Sequence, residues 1–378
     1  TESTFSDGEE PRQTFFTSTL EGYTGVSDND RVNVGLILEF RSNVVGGRDA
    51  LDVFSFDGET GTARSGLTSI APSVKFVPFS SVNNFSIQSS IFIPFEGGKL
   101  HLKRIVENEQ GKPVLLLHGS IENGKIFYSK SLKGFAPFLA MQGFDVFVLD
   151  MQGRGLSTPK MNKKSEYGQI DVIKTDIPLS LKKIMEIKGD VPIYAAAHSW
   201  GGVLMLAYMS RFKHKIKKLV LFGSKRQLTG RSWEWFLKVV LVWHFLAKVL
   251  IFIYGYFPTK KFKIGSDNEP KNHYKQINEW LKPGSQWIDN IDGFDYGKAL
   301  ETKQLPPVLF LAGKNDHLLG NPIDVKILAA EVKNATIDYW LLAKSEGFAE
   351  DYGHIDMLTH KNASTDFFGK VVDWMEKG

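Results

Sequence analysis

The chain has 378 residues, 42% hydrophobic and 23% charged, with a formal net charge of +4. That length allows one large domain with insertions, or two domains, and the slight positive excess, without basic runs interleaved with aromatics, argues against a nucleic-acid partner. There is no cysteine, which excludes disulfides, thiolate catalysis and zinc–thiolate sites and leaves the compartment open between cytoplasm and periplasm or exterior.

Residues 1–83 are rich in Ser, Thr, Gly and Asp, with β-type runs at Val32 to Phe40 and Leu51 to Phe56 and turn signals at Gly46-Gly47 and Asp57-Gly58. A β-rich or irregular N-terminal extension is expected there. Phe85 to Phe95 and Leu100 to Ile105 flank Gly97-Gly98 and read as a hairpin. Short apolar runs then recur at Val114–Leu117, Val146–Leu149, Ile193–Ala197, Leu219–Phe222 and Val308–Leu311, several followed by stretches of helical character such as 203–212. Continuous apolar strands alternating with helices predict a mostly parallel sheet covered on both faces. The first run ends in His118-Gly119-Ser120-Ile121, and the second leads into Asp150-Met151-Gln152-Gly153-Arg154-Gly155-Leu156-Ser157.

The strand Ile193–Ala197 continues into His198-Ser199-Trp200-Gly201-Gly202 and then a helix. A serine on so sharp a strand-to-helix turn needs small neighbours two positions away, and Ala197 and Gly201 meet that demand, Ala197 standing where Gly is usual. The free N–H groups of the helix N-terminus favour a developing oxyanion. Ser199 is therefore the candidate nucleophile, with the Trp200 N–H as one oxyanion donor. The second donor is expected in the loop after His118-Gly119, at Ser120 or Ile121. His118 reads as a structural histidine holding that loop.

Between Gly223 and Leu305 the alternation stops, over a span too long for a connecting loop. A helix is predicted from Trp233, with Glu234, Lys238, His244 and Lys248 on one face. The wide remaining face carries Trp233, Phe236, Val240, Trp243, Leu246, Val249, Leu250 and Ile253. Such a face must be buried against core, substrate or membrane. Packing on the core is the plain reading; Trp233, Phe236 and Trp243 lining an acyl pocket or touching lipid is the sharper one. Lys238, His244 and Lys248 interrupt it as a membrane span.

A serine hydroxyl needs a histidine base and an orienting carboxylate, in the order Ser, Asp, His for this topology. Asp316 follows the strand Val308–Leu311, and His354 lies in a loop between the strand 335–342 and the final helix 367–375. His317 competes with His354, and Asp351 or Asp356 with Asp316. A metal site from His354, Asp356 and His360 is possible on ligand chemistry alone.

With His118-Gly119, the Asp150–Ser157 stretch, the turn at Ser199, Asp316 and His354, residues 84–378 resemble the α/β-hydrolase fold superfamily, its serine esterases and lipases above all. The resemblance implies a core of residues 84–224 and 302–378, a helical cap at 225–301, and no cofactor. It implies hydrolysis of small-molecule carboxylic esters, with apolar acyl groups and transient lipid-surface contact through the cap. An acyltransferase with the same triad and a non-catalytic binding protein of the same fold are the alternatives.

Overall fold

The computed structural model describes residues 13–25, 32–45, 63–76 and 87–377, apart from 130, 132, 231–232 and 282–285. It divides into two compact units, Thr1–Phe92 and Ile93–Gly378. In the first unit, strands β1 (Gln13–Gly25), β2 (Val32–Val45) and β3 (Ala63–Phe76) form an antiparallel meander. The start of β4 (Ile87–Phe95) pairs with β1 at Thr19–Glu21. Val32 to Phe40 is thus strand, whereas Leu51 to Phe56 and its neighbouring turns lie outside the described residues.

The second unit is built on a mostly parallel sheet flanked by helices. Its sheet contains β5 (Gly98–Val106), β6 (Pro113–Leu117), β7 (Asp145–Asp150), β8 (Ile193–His198) and β9 (Ile216–Phe222). A small antiparallel ribbon follows, β10 (Tyr256–Phe257) with β11 (Glu269–Pro270), before the sheet resumes with β12 (Val308–Gly313) and β13 (Ile337–Leu342). The spatial order is β13-β12-β9-β8-β6-β7-β5. All neighbours are parallel except β5 against β7. Every residue of β6, β7, β8 and β12 is buried, because helices cover both faces of a parallel sheet. On one face Phe135 stands edge-on to Phe222 and Phe368, with ring centres 5.1 and 4.9 Å away, tying the helices Phe135–Met141 and Phe368–Glu376 to the strands.

Between β9 and β12 the chain inserts helices and the ribbon. The first helical stretch is α-helical at Trp233–Trp235, π-helical over Phe236–Leu246 and α-helical again over Ala247–Tyr254, where Gly255 at φ +78° ends it. The helices Lys271–Trp280 and Tyr296–Thr302 follow. The wide π turns displace the faces expected from a 3.6-residue period. The expectation that the long helix packs on the core is corrected as well, since over Phe236–Tyr254 only Val239, Ala247 and Leu250 are buried.

Candidate active site

Ser199 sits at the corner between β8 and the helix Trp200–Arg211 with φ +53° and ψ −125°, a region that costs a non-glycine residue roughly 1–3 kcal/mol. Its N–H donates to the Phe222 carbonyl at 2.8 Å, which fixes the corner against the end of β9. The steric reason for small neighbours is visible. A Cβ at Gly201 would overlap the carbonyls of Leu117 and His118, and one at Gly202 would overlap Ser224 Oγ. Ala197 lies inside β8 between Leu117 and Leu221, where a methyl is accommodated.

The loop after β6 passes directly beside the serine, because a Cβ at Gly119 would lie 2.8 Å from Ser199 Cβ. His118 holds that loop. Its Nε2 accepts from the Met151 N–H at 3.1 Å, so its Nδ1 carries the proton and donates to the Gly119 carbonyl at 2.9 Å. Burial lowers its pKa and keeps the ring neutral. Ser120 has a buried hydroxyl without a partner among the described residues. Ile121 is different: at φ +53° its N–H donates to Glu269 Oε2 at 2.6 Å and its carbonyl accepts from the Asp267 N–H at 3.0 Å. Its N–H is therefore committed, which removes Ile121 as an oxyanion donor in this conformation. Trp200 is buried, its indole N–H donating to Gln169 Oε1 at 2.9 Å, and its backbone N–H opens the helix.

His354 and Asp316 come together across the ends of β12 and the loop after β13. The His354 Nδ1–H donates to Asp316 Oδ2 at 2.5 Å. Burial would raise the Asp316 pKa, but His354, the Gly320 N–H and Lys225 hold it below the usual carboxylate value. Lys225 is itself buried, donating to the Leu318 carbonyl at 2.5 Å and to Asp324 at 3.2 Å. Gly223, next to the Phe222 carbonyl that binds Ser199, lies under the imidazole, since a Cβ there would sit 3.0 Å from His354 Nδ1. The Ser199 hydroxyl has no hydrogen-bond partner among the described residues. His317 is exposed, Asp356 is exposed at a helix start, and Asp351 accepts from the Lys344 N–H. No cluster of metal-ligating side chains occurs among the described residues.

A second carboxylate–imidazole pair, unmarked by any local motif, lies beneath this one. His198 Nδ1 donates to Glu122 Oε1 at 2.7 Å, and His198 Nε2 donates to the His354 carbonyl at 3.1 Å. Both partners are acceptors, so His198 is an imidazolium. Burial opposes that charge, yet Glu122 and the carbonyl raise the His198 pKa, while Glu122 is held low despite its own burial. Glu122 also accepts from the Gly119 N–H. A further buried cluster joins Arg154, Glu269 and His273, with Arg154 2.5 Å from Glu269. Burial works against the Glu269 charge, but Arg154 and His273 hold its pKa down to about 2.

The aromatic candidates of the insertion are not joined to this constellation by any ring contact or hydrogen bond among the described residues. Trp233 is 73% exposed and stacks on Phe236, itself 39% exposed. Trp243 is committed to the insertion's own core, edge-on to Phe257, tilted against Tyr274 and bonded to Asn278 at 3.0 Å.

A family model described as an alpha/beta hydrolase fold matches residues 112–361, more than half of the chain. The chain is 24% identical over 227 residues to a monoglyceride lipase of Saccharomyces cerevisiae, covering 56% of this chain and 69% of that protein. It is 29% identical over 101 residues to a lipase of Caenorhabditis elegans, spanning 23% of this chain and 25% of that one. An esterase structure from Exiguobacterium antarcticum superposes with a TM-score of 0.51 at 16% identity, covering 76% of this chain and 99% of that one, a likeness of fold.

Proposed function

The chain belongs to the α/β hydrolase fold family, and on that premise we propose that it is a serine hydrolase of carboxylic esters with apolar acyl groups. The observation that carries this reading is the Asp316–His354 pair, at 2.5 Å, seated over the glycine that follows the Phe222 carbonyl anchoring a strained Ser199. In this reading His354 Nε2 takes the Ser199 proton as Oγ attacks the ester carbonyl. Asp316 fixes the tautomer and stabilises the imidazolium. The oxyanion takes hydrogen bonds from the N–H groups of Trp200 and Ser120. His354 returns the proton to the leaving alcohol, and water repeats the sequence on the acyl-enzyme.

Residues 225–301 act as a cap in this proposal, supported by the ties from Asp267 and Glu269 to the loop beside Ser199. The lipase names of its relatives favour a lipid-like ester met at a lipid surface. The test is hydrolysis of p-nitrophenyl esters from acetyl to palmitoyl together with fluorophosphonate labelling, wild type beside Ser199→Ala. Labelling and turnover are expected in the wild type and a loss of roughly 10⁴-fold or more in the variant. An unlabelled wild-type protein without esterase activity would end the proposal.

A further inference from the structure

Folded soluble proteins rarely leave a long apolar helix uncovered. Here Phe236–Tyr254, 19 residues, is long and apolar enough to cross a membrane, yet all of it but Val239, Ala247 and Leu250 is half-buried or exposed. Leu237, Leu241, Phe245, Val249, Phe252 and Ile253 are all exposed, Phe252 by 91%. The other side of the helix is occupied. Val239, Ala247 and Leu250 are buried, Trp243 bonds Asn278, and the Tyr274 hydroxyl donates to the Trp243 carbonyl at 2.6 Å. A helix with one face committed to protein, and with Lys238, His244 and Lys248 along its length, cannot be surrounded by lipid without burying charge at mid-depth. It can lie in the plane of an interface, where lysine stems extend through apolar surface and the ammonium groups reach headgroups.

The charge around it specifies the occupant. From residue 235 to residue 266 there is no Asp or Glu, whereas Lys238, Lys248, Lys260, Lys261 and Lys263 all occur and are exposed, with Phe262 exposed among the last three. This local excess of exposed positive charge beside protruding aromatics matches an anionic phospholipid surface and would repel a second copy of the same face. We propose that this helix and the Lys260–Lys263 segment dock the protein onto anionic membrane surfaces. The proposal deepens the ester-hydrolase reading by giving the place where a lipid ester is met, and it can fail separately from that reading.

The experiment is vesicle flotation of the full chain with phosphatidylcholine alone and with phosphatidylcholine–phosphatidylserine mixtures, Ser199→Ala beside the wild type. Both proteins should float with the anionic vesicles, at least about tenfold more strongly than with neutral ones, and less so at high salt. Phe245→Asp/Phe252→Asp should weaken flotation by roughly tenfold or more while leaving hydrolysis of soluble p-nitrophenyl butyrate intact. Lys260→Gln/Lys261→Gln/Lys263→Gln should abolish the preference for anionic vesicles. Absence of flotation, flotation indifferent to the Phe pair, or a dimer in solution that the Phe pair dissociates would each overturn the proposal. Failure of the esterase assay with flotation intact would overturn only the catalytic reading.

Discussion

Glu122→Gln tests the buried imidazolium under the candidate site. In the native protein His198 donates from both nitrogens, to Glu122 at 2.7 Å and to the His354 carbonyl at 3.1 Å, and it is completely buried. The amide oxygen can still accept from both His198 and the Gly119 N–H, but it carries no charge. An imidazolium left uncompensated there would cost on the order of 3–5 kcal/mol. The ring escapes that cost by losing its proton, which forfeits one of its two hydrogen bonds, about 1–3 kcal/mol for the acceptor left behind. A net loss of about 2–3 kcal/mol is expected. The pH dependence gives the sharper readout. The raised His198 pKa contributes stability that is complete below the unfolded imidazole value of 6.5 and is lost as pH rises through the folded value. The depressed Glu122 pKa contributes stability present above 4.5 and lost as pH falls through its folded value. The deficit of the variant should therefore be widest between 4.5 and 6.5 and shrink on the alkaline side. Urea midpoints at constant m-value, from about pH 5 to about pH 9, measure it. An equal deficit at both ends, or none, would refute the assignment of charge. Because the His354 loop loses a backbone anchor, kcat for p-nitrophenyl butyrate should also drop about tenfold.

Three other substitutions probe the surroundings. Asp176 is completely buried, its Oδ1 has no partner among the described residues, and burial pushes its pKa up to about 7. An acid so raised loses stability as pH climbs from 3.8 toward that value, so Asp176→Asn should be more stable than wild type at about pH 8, by on the order of 1–3 kcal/mol, and not near about pH 4. Thermal melts at the two pH values decide it, and an equal gain at both rejects the titration. Glu269→Ala should cost roughly 3–5 kcal/mol in urea unfolding, because the buried Arg154 guanidinium loses its carboxylate 2.5 Å away; an unchanged midpoint contradicts it. Gly119→Ala places a Cβ 2.8 Å from Ser199 Cβ and should slow fluorophosphonate labelling by at least about tenfold, whereas a wild-type rate would mean the loop has room to yield.

What the sequence made legible was what local sterics and burial dictate. Strands buried on both faces are apolar through their centres, so Val114–Leu117, Val146–Leu149, Ile193–Ala197, Leu219–Phe222 and Val308–Leu311 stand out as short unbroken runs. The corner at Ser199 is legible for a similar reason: Gly201 and Gly202 are packed against Leu117, His118 and Ser224, and only glycine fits. Those same glycines hid the first turn of the following helix, which begins at Trp200 and not Val203, because glycine is a poor helix former. Electrostatic partners leave no such trace. Glu122 and His198 are 76 residues apart, and Arg154 and Glu269 are 115 apart, so a pair found only in the folded chain shows no spacing to read. The commitment of the Ile121 N–H to Glu269 is of this kind, and it separates two neighbouring residues, Ser120 and Ile121, that the sequence leaves equivalent. The insertion fails for a third reason. A helical wheel assumes 3.6 residues per turn and assigns an apolar face to whatever interior is available. Over Phe236–Leu246 the turns are π-helical, and among the described residues most of the helix's apolar surface has nothing packed on it. An apolar pattern specifies that a surface avoids water without specifying what covers it, and at Phe245 and Phe252 none of the described residues covers it.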